Sequence, residues 1–268
     1  MASTTLSPFV GAPTWHLLGI EPARAIMEYA GMRLMNKAAL PRGDGHPVVI
    51  FPGLAADHHS IEPLRDLCNQ LGYAAYDWGR GFNTGPEGDL DTWLDELGRH
   101  VLELTGAHEE PMSLIGWSLG GIYAREVAKK LTGRVRQVIT IGTPFAGSAE
   151  QTRAACVYRL LSGQEPTLSP AMMARLRTAP DAPTTSIFSR SDGVVAWQAC
   201  IQHGDADHTE NIEVDGSHCG LGWNSEVLSI IADRLRQPMG AWRRHDRASS
   251  FEQAMLPIEG DARWPIHG

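Results

Sequence analysis

Short, continuous apolar runs alternate along this chain with segments whose apolar residues recur every third or fourth position. The clearest predicted strands are PVVIF (47–51), AAYDW (74–78), MSLIGW (112–117), VRQVITIG (135–142), TTSIFS (184–189) and NIEVDG (211–216). A run that is apolar at successive positions predicts a strand buried on both faces, as in a parallel sheet covered by helices. The intervening segments supply those helices. Ile61, Leu64, Leu67 and Leu71 share one helical face; Leu90, Trp93, Leu94, Leu97, Val101 and Leu104 share a second. Ile122, Tyr123, Val127 and Leu131 form a third, and Val227, Leu228, Ile231 and Leu235 a fourth. Gly133 is placed to end the third helix in a left-handed conformation, and Pro238 terminates the last. Residues 21–37 predict an opening helix with Pro22 in its first turn. Together these elements predict an α/β fold, a mostly parallel central sheet with helices on both faces.

Two stretches interrupt that alternation. The connection between Gly142 and Thr184 is longer than a crossover helix requires, and it holds RAACVYRLLSG and SPAMMARLRTAP, punctuated by Gly163, Pro166 and Pro170. Residues 146–182 are therefore expected to form a small cap or lid. Residues 238–268, with Pro257, Pro265, Trp242 and Trp264, are expected to run as an irregular C-terminal extension. With 268 residues and no internal repeat, a single domain spanning 1–268 accounts for the whole chain.

Charge and composition narrow the classes of partner. A formal net charge of -8 gives no general attraction to phosphate backbones or anionic membranes, so no nucleic-acid partner is expected. No run of about 18 apolar residues is available to span a bilayer, and no integral membrane association is expected. The opening MASTTLSPFVGAPTWHLLGIEPAR lacks the basic start and unbroken apolar core of a signal peptide, which predicts a cytoplasmic protein. Cys68, Cys156, Cys200 and Cys219 form no CxxC pair and are expected to be reduced thiols. The sequence does not specify an oligomeric state.

The candidate chemistry sits where the third run meets its helix, in SLIGWSLGGIYAREV (113–127). Ser118 lies between Gly116 and Gly120, with Gly121 following. The bland account is a turn capped by serine. The sharper one is a nucleophile at the apex of a tight strand-to-helix bend, where the glycines relieve steric collision and the helix N-terminus favours negative charge. A serine hydroxyl needs a base oriented by an acid. Among eleven histidines, His218 stands out in GSHCGL, on the loop after the last predicted strand, where parallel sheets place reactive groups. Asp192 in SDGVV follows the preceding strand and is the expected acid, although Asp-Gly is also a common turn pair; Asp205, Asp207 and Asp215 are weaker rivals. Backbone N–H groups of Leu119 and of Leu54, in PGLAAD, are the expected oxyanion donors, with Gly53 permitting the backbone conformation that turns the Leu54 amide inward. Trp117, Phe145 and Met172, with Trp78 and Phe82, are candidates for an apolar acyl pocket, and each is also a plausible core residue. His58 and His59 are candidates for the substrate entrance, with helix capping or plain exposure as the alternatives. HGDADH (203–208) holds metal-ligating types but matches no metal motif, and it is read as a solvated loop, so no metal site is expected.

Over residues 45–237 these segments resemble the α/β-hydrolase superfamily, and within it the bacterial esterase and lipase-like branch. GWSLGG resembles the nucleophile elbow, VVIFPGLAAD the oxyanion loop, SDGVV and GSHCGL the acid and base loops, and IGTPFAGS is similar to the segment after the following strand in many lipases. Where the family often has His-Gly in the oxyanion loop, this chain has Pro52–Gly53, and its insertion is short for a lid over a long acyl chain. The resemblance implies an ester or lipid-like small-molecule substrate, a Ser118–His218–Asp192 triad, an acyl-enzyme intermediate and no cofactor. Thioesterase, amidase or acyltransferase activity would use the same residues, and a hydrolase fold kept only for binding is the alternative of a different class.

Overall fold

The computed structural model describes residues 12–147, 169–204 and 206–246. Most of the expected cap (148–168, including Cys156), Asp205 and residues 247–268 of the C-terminal extension lie outside the described residues.

Six strands form one sheet: β1 (Pro47–Phe51), β2 (Ala74–Asp77), β3 (Met112–Trp117), β4 (Val135–Ile141), β5 (Thr184–Ser189) and β6 (Thr209–Val214). Their order is β2-β1-β3-β4-β5-β6, and every neighbouring pair is parallel. The helices are α1 (Trp15–Leu34), α2 (His58–Leu71), α3 (Leu90–Leu104), α4 (Leu119–Lys130), α5 (Pro170–Arg177) and α6 (Ser225–Leu235). After β2 the chain crosses back over β1 to build the rest of the sheet on its other side. The gap between β1 and β3 at the carboxyl edge is thus a topological switch point, the place where such sheets bind ligands.

Alternation along each strand divides the core into two layers. Val48 and Ile50 of β1 join Ile115, Ile139 and Ile187 beneath α2 and α6, together with Met32 of α1. Val49 and Phe51 face the other way, with Leu114 and Val138, against α3, α4 and Leu176 of α5. Among the described residues no helix is long and apolar enough to cross a membrane.

Several boundaries differ from the sequence expectation. β6 starts and ends earlier than 211–216 because Thr184 pairs with Thr209, and the polar Glu210 is buried where it binds Thr185 Oγ1 (2.7 Å) and Arg234 Nη1 (2.8 Å). α1 begins at Trp15, with Thr14 Oγ1 accepting the Leu17 amide (3.4 Å), so Pro22 lies inside the helix rather than in its first turn. Its missing N–H leaves the Leu18 carbonyl without its usual helical donor. α1 ends at Leu34, short of residue 37, where Met35 turns extended. Gly133 is left-handed as expected (φ +81°), but the cap of α4 is Leu131, and the glycine serves the turn that follows.

Candidate active site

β3 ends at Trp117 and α4 begins at Leu119, so Ser118 alone makes the connection. Its φ of +53° and ψ of -122° lie where a side-chain-bearing residue is strained. Such strain at a strand-to-helix bend holds the side chain clear of both elements. The serine makes no capping hydrogen bond to α4, which removes the bland account of this residue. The three glycines are explained by contact. A Cβ on Gly116 would strike the backbone of Gly120 and Gly121, one on Gly120 the carbonyls of Phe51 and Pro52, and one on Gly121 the side chain of Thr143.

Ser118 Oγ stands 3.0 Å from His218 Nε2, and His218 Nδ1 stands 2.7 Å from Asp192 Oδ2. All three residues are buried. The other oxygen of Asp192 accepts the amides of Val194 (2.8 Å) and Val195 (2.7 Å), so this residue forms the Asp-Gly turn and meets the histidine at once. Burial pulls the His218 pKa down, but the charge and hydrogen bond of Asp192, with the charge of Glu21, outweigh it and leave the pKa raised. Trp117 Nε1 donates to the His218 carbonyl (3.2 Å). Asp215 is exposed and bound to Arg24 and Ser191, and Asp207 is exposed, so neither rival meets the histidine; Asp205 lies outside the described residues.

Leu119 opens α4, where its amide has no carbonyl one turn back to serve it. Leu54 follows β1 on a loop that touches the elbow, since a Cβ on Gly53 would lie 3.4 Å from Ser118 Cβ. The expectation for Gly53 changes here. The left-handed residue of the loop is Ala55 (φ +55°), and what Gly53 provides is space beside Ser118. The loop is pinned by Asn83, a buried residue that sequence reasoning missed. Its Nδ2 donates to the Pro52 carbonyl (2.9 Å), its backbone exchanges hydrogen bonds with Ala55 and Ala56 (2.8 Å each), and its Oδ1 accepts Tyr123 Oη (3.3 Å).

Of the expected pocket residues, Trp117, Phe145 and Trp78 are buried. Trp117 is seated in the core, edge-on to Trp223 with ring centroids 5.6 Å apart, and donates to the loop that carries His218. Phe145 is buried under the Arg125 guanidinium, 3.8 Å from the ring centroid. Met172 is half-buried on α5 against the α3–α4 layer, Trp78 is buried beside Tyr123, and Phe82 is exposed. His58 and His59 form the first turn of α2, capped by Asp57. Ligand atoms of these three exposed or half-exposed residues lie within 4.8 Å of one another, although the Asp57 carboxylate is already engaged by the His59 amide and ring. In the 203–208 segment, His208 Nε2 meets the Pro180 carbonyl (3.2 Å).

The larger omission is α1. Arg24 binds the Ser191 carbonyl (2.6 Å) and hydroxyl (2.8 Å), and Glu28 accepts both the amide and the hydroxyl of Ser217 (2.7 Å each). Glu21, buried where Arg24 and Glu28 are half-buried, faces the same loops. These residues form a polar stripe turned inward, while Trp15, Ile26, Met27 and Leu34 are exposed. An apolar-periodicity reading looks for the opposite arrangement.

Comparison with known proteins agrees with this architecture. A pimeloyl-[acyl-carrier protein] methyl ester esterase of Shewanella sp. (strain MR-7) is 30% identical over 105 residues, 38% of this chain and 36% of that one. The chain thus matches little more than a third of the length of such curated relatives. Among solved structures, Aspergillus fumigatus lipase B superposes with a TM-score of 0.55 at 15% identity, covering 78% of this chain and 56% of that one. A thioesterase domain from the curacin biosynthetic pathway gives 0.50 at 14%, covering 73% and 92%. At such identities the likeness is one of fold. The profile of the alpha/beta hydrolase family matches residues 48–264, most of the chain, and with the parallel sheet and its switch-point elbow it shows that this protein belongs to that family.

Proposed function

We propose that this protein is a serine carboxylic-ester hydrolase in which Ser118 is the nucleophile, His218 the general base and acid, and Asp192 the orienting carboxylate. The observation that carries the reading is the continuous hydrogen-bonded line Ser118 Oγ–His218–Asp192, held at a strained elbow on the sheet's switch point. As Ser118 Oγ attacks an ester carbonyl, its proton passes to His218 Nε2. The imidazolium so formed lies against the Asp192 carboxylate, and the Leu119 and Leu54 amides are the donors for the oxyanion. Collapse of the tetrahedral adduct returns the proton to the departing alcohol and leaves an acyl-serine. Water, deprotonated by His218, then releases the acid.

Thioester cleavage, amide hydrolysis and acyl transfer would run through the same groups. The ester reading is preferred because the curated relatives that share sequence with this chain carry an ester-hydrolase name. A fluorophosphonate probe tests the reading. Labelling of the wild type that disappears in Ser118→Ala is expected, whereas an unlabelled wild type would mean a binding module. A panel of p-nitrophenyl esters and thioesters graded by acyl length then separates the ester and thioester readings.

A further inference from the structure

We propose that Glu21 is a positioning residue for the Ser118–His218–Asp192 line: its buried carboxylate, carried on α1, grips both the acid-bearing and the base-bearing loop by their main-chain amides and fixes one against the other. The proposal rests on the serine-hydrolase reading above. Glu21 Oε1 accepts the amide of Gly193 (2.7 Å), next to Asp192, and the amide of His218 itself (3.0 Å); Oε2 accepts the amide of Cys219 (2.9 Å). One side chain thus bridges loops that follow different strands.

The surroundings are shaped for this contact. A Cβ on Gly193 would meet the Leu17 carbonyl of α1, and one on Gly220 would meet the Glu28 carboxylate, so both loops press directly on the helix. No cation pairs with Glu21 among the described residues; its carboxylate is met by three main-chain amides and by the Cys219 thiol. A buried carboxylate kept in that state is unfavourable for stability unless its hydrogen bonds are complete, and a neutral side chain could fill the space. What the charge adds is a field on the imidazole. The groups facing His218 are Asp192 from the acid loop, Glu21 from α1 and the Ser118 hydroxyl from the elbow, with the Cys219 thiol beside it and Glu28 beyond. Cys200, fully buried, is close enough to feel the Asp192 charge. The two thiols stay protonated: burial, with Glu21 next, pushes Cys219 up to about 12, and burial raises Cys200. Of the negative charges beside the imidazole, Asp192 and Glu21 favour its protonated form.

The test compares Glu21→Gln and Glu21→Asp with the wild type, using p-nitrophenyl butyrate and rates normalised to fluorophosphonate-titrated sites. Glu21→Gln is expected to lower kcat about 10- to 100-fold with KM nearly unchanged, because misplacing a reacting group by an ångström costs about that much. It is also expected to move the acid limb of kcat/KM to lower pH, because the charge that favours imidazolium is gone. Glu21→Asp keeps the charge but retracts it, and should lower kcat while leaving the acid limb in place. A residue that merely supports the fold would lower the melting temperature and the number of titratable sites, with kcat per site and the acid limb unmoved; that result overturns the proposal. If Glu21→Gln does not fold, Glu21→Asp decides alone, and wild-type kcat per site in that variant overturns the proposal. A wild type that neither labels nor hydrolyses esters removes the hydrolase reading and this proposal with it; a reactive wild type with indifferent variants removes only the proposal.

Discussion

Asp192→Asn replaces one buried oxygen by an amide nitrogen, and the structure dictates which oxygen that is. Oδ1 accepts two backbone amides, from Val194 and Val195, while Oδ2 meets His218 Nδ1 alone. An asparagine that turned its NH2 toward Val194 and Val195 would set donor against donor twice. Its NH2 therefore faces His218, and Nδ1 must become an acceptor. The imidazole proton then resides on Nε2, the atom that must receive the Ser118 proton, and the base is lost through tautomer rather than through displacement. Elsewhere the same exchange of aspartate for asparagine in such a line lowers kcat about 10⁴-fold. A loss of about 10³- to 10⁴-fold is expected here, equivalent to ~4–5.5 kcal/mol of transition-state stabilisation. The shape of the side chain is unchanged and both turn hydrogen bonds persist, so the unfolding midpoint should move little. Steady-state hydrolysis of p-nitrophenyl butyrate, with urea unfolding on the same preparation, reads both quantities. A folded Asp192→Asn protein within tenfold of wild-type kcat would mean that another group orients His218 and would refute the assignment of the acid.

Three further outcomes follow from the same geometry. Attack requires a neutral imidazole and His218 has a raised pKa, so activity should be complete at high pH and fall as pH drops through a limb lying above the ordinary histidine value of about 6.5; a limb at or below that value contradicts the raised pKa. Asn83→Ala strips buried partners from the Pro52 carbonyl and Tyr123 hydroxyl, and should cost about 1–3 kcal/mol in urea unfolding and lower kcat through the loosened 52–56 loop; wild-type values of both would show that the loop is held otherwise. Gly121→Ala drives a methyl into Thr143 and should destabilise by about 1–3 kcal/mol, with partial relief from Thr143→Ala; an unchanged unfolding midpoint would refute the close approach of α4 to the end of β4.

What the sequence disclosed depended on whether a residue's surroundings were apolar and local. β1 and β3 are buried along their whole length and read directly as apolar runs, whereas β5, equally buried, carries hydroxyl side chains at four of its six positions. The elbow was legible because its glycines answer to steric contacts within the motif and with the strand ends beside it. β6 was misplaced at its start because Glu210 satisfies its charge with Arg234, a partner distant in sequence. α1 gave a poor periodic signal for a physical reason. The face it turns inward carries Glu21, Arg24 and Glu28, which bond to loops nearly two hundred residues away, and several apolar side chains face outward. Asn83 escaped for the same reason: nothing local distinguishes it from a turn asparagine until the loop it anchors is seen beside it.

The topology itself explains why such an outside brace is useful. Ser118 follows β3, but Asp192 and His218 follow β5 and β6, so the loop carrying His218 must lean back across the carboxyl ends of β5 and β4 to reach the serine. It passes closely over β4: a Cβ on Gly142, which is left-handed at φ +55°, would lie 3.2 Å from His218 Nδ1. From the sheet side this loop is held by Trp117 Nε1, which donates to the His218 carbonyl, and by Ser189 Oγ, which accepts the Gly216 amide. α1 supplies the second support, with Glu28 holding Ser217 and Glu21 holding His218 and Cys219, and it does so with carboxylates rather than with apolar packing. Under the proposed chemistry that choice has an electrostatic consequence. Attack creates positive charge on the imidazole, addressed by Asp192 and Glu21, and negative charge beside the first turn of α4, the positive end of the helix dipole. The two new charges therefore develop in fields that were already oriented for them before the substrate arrives.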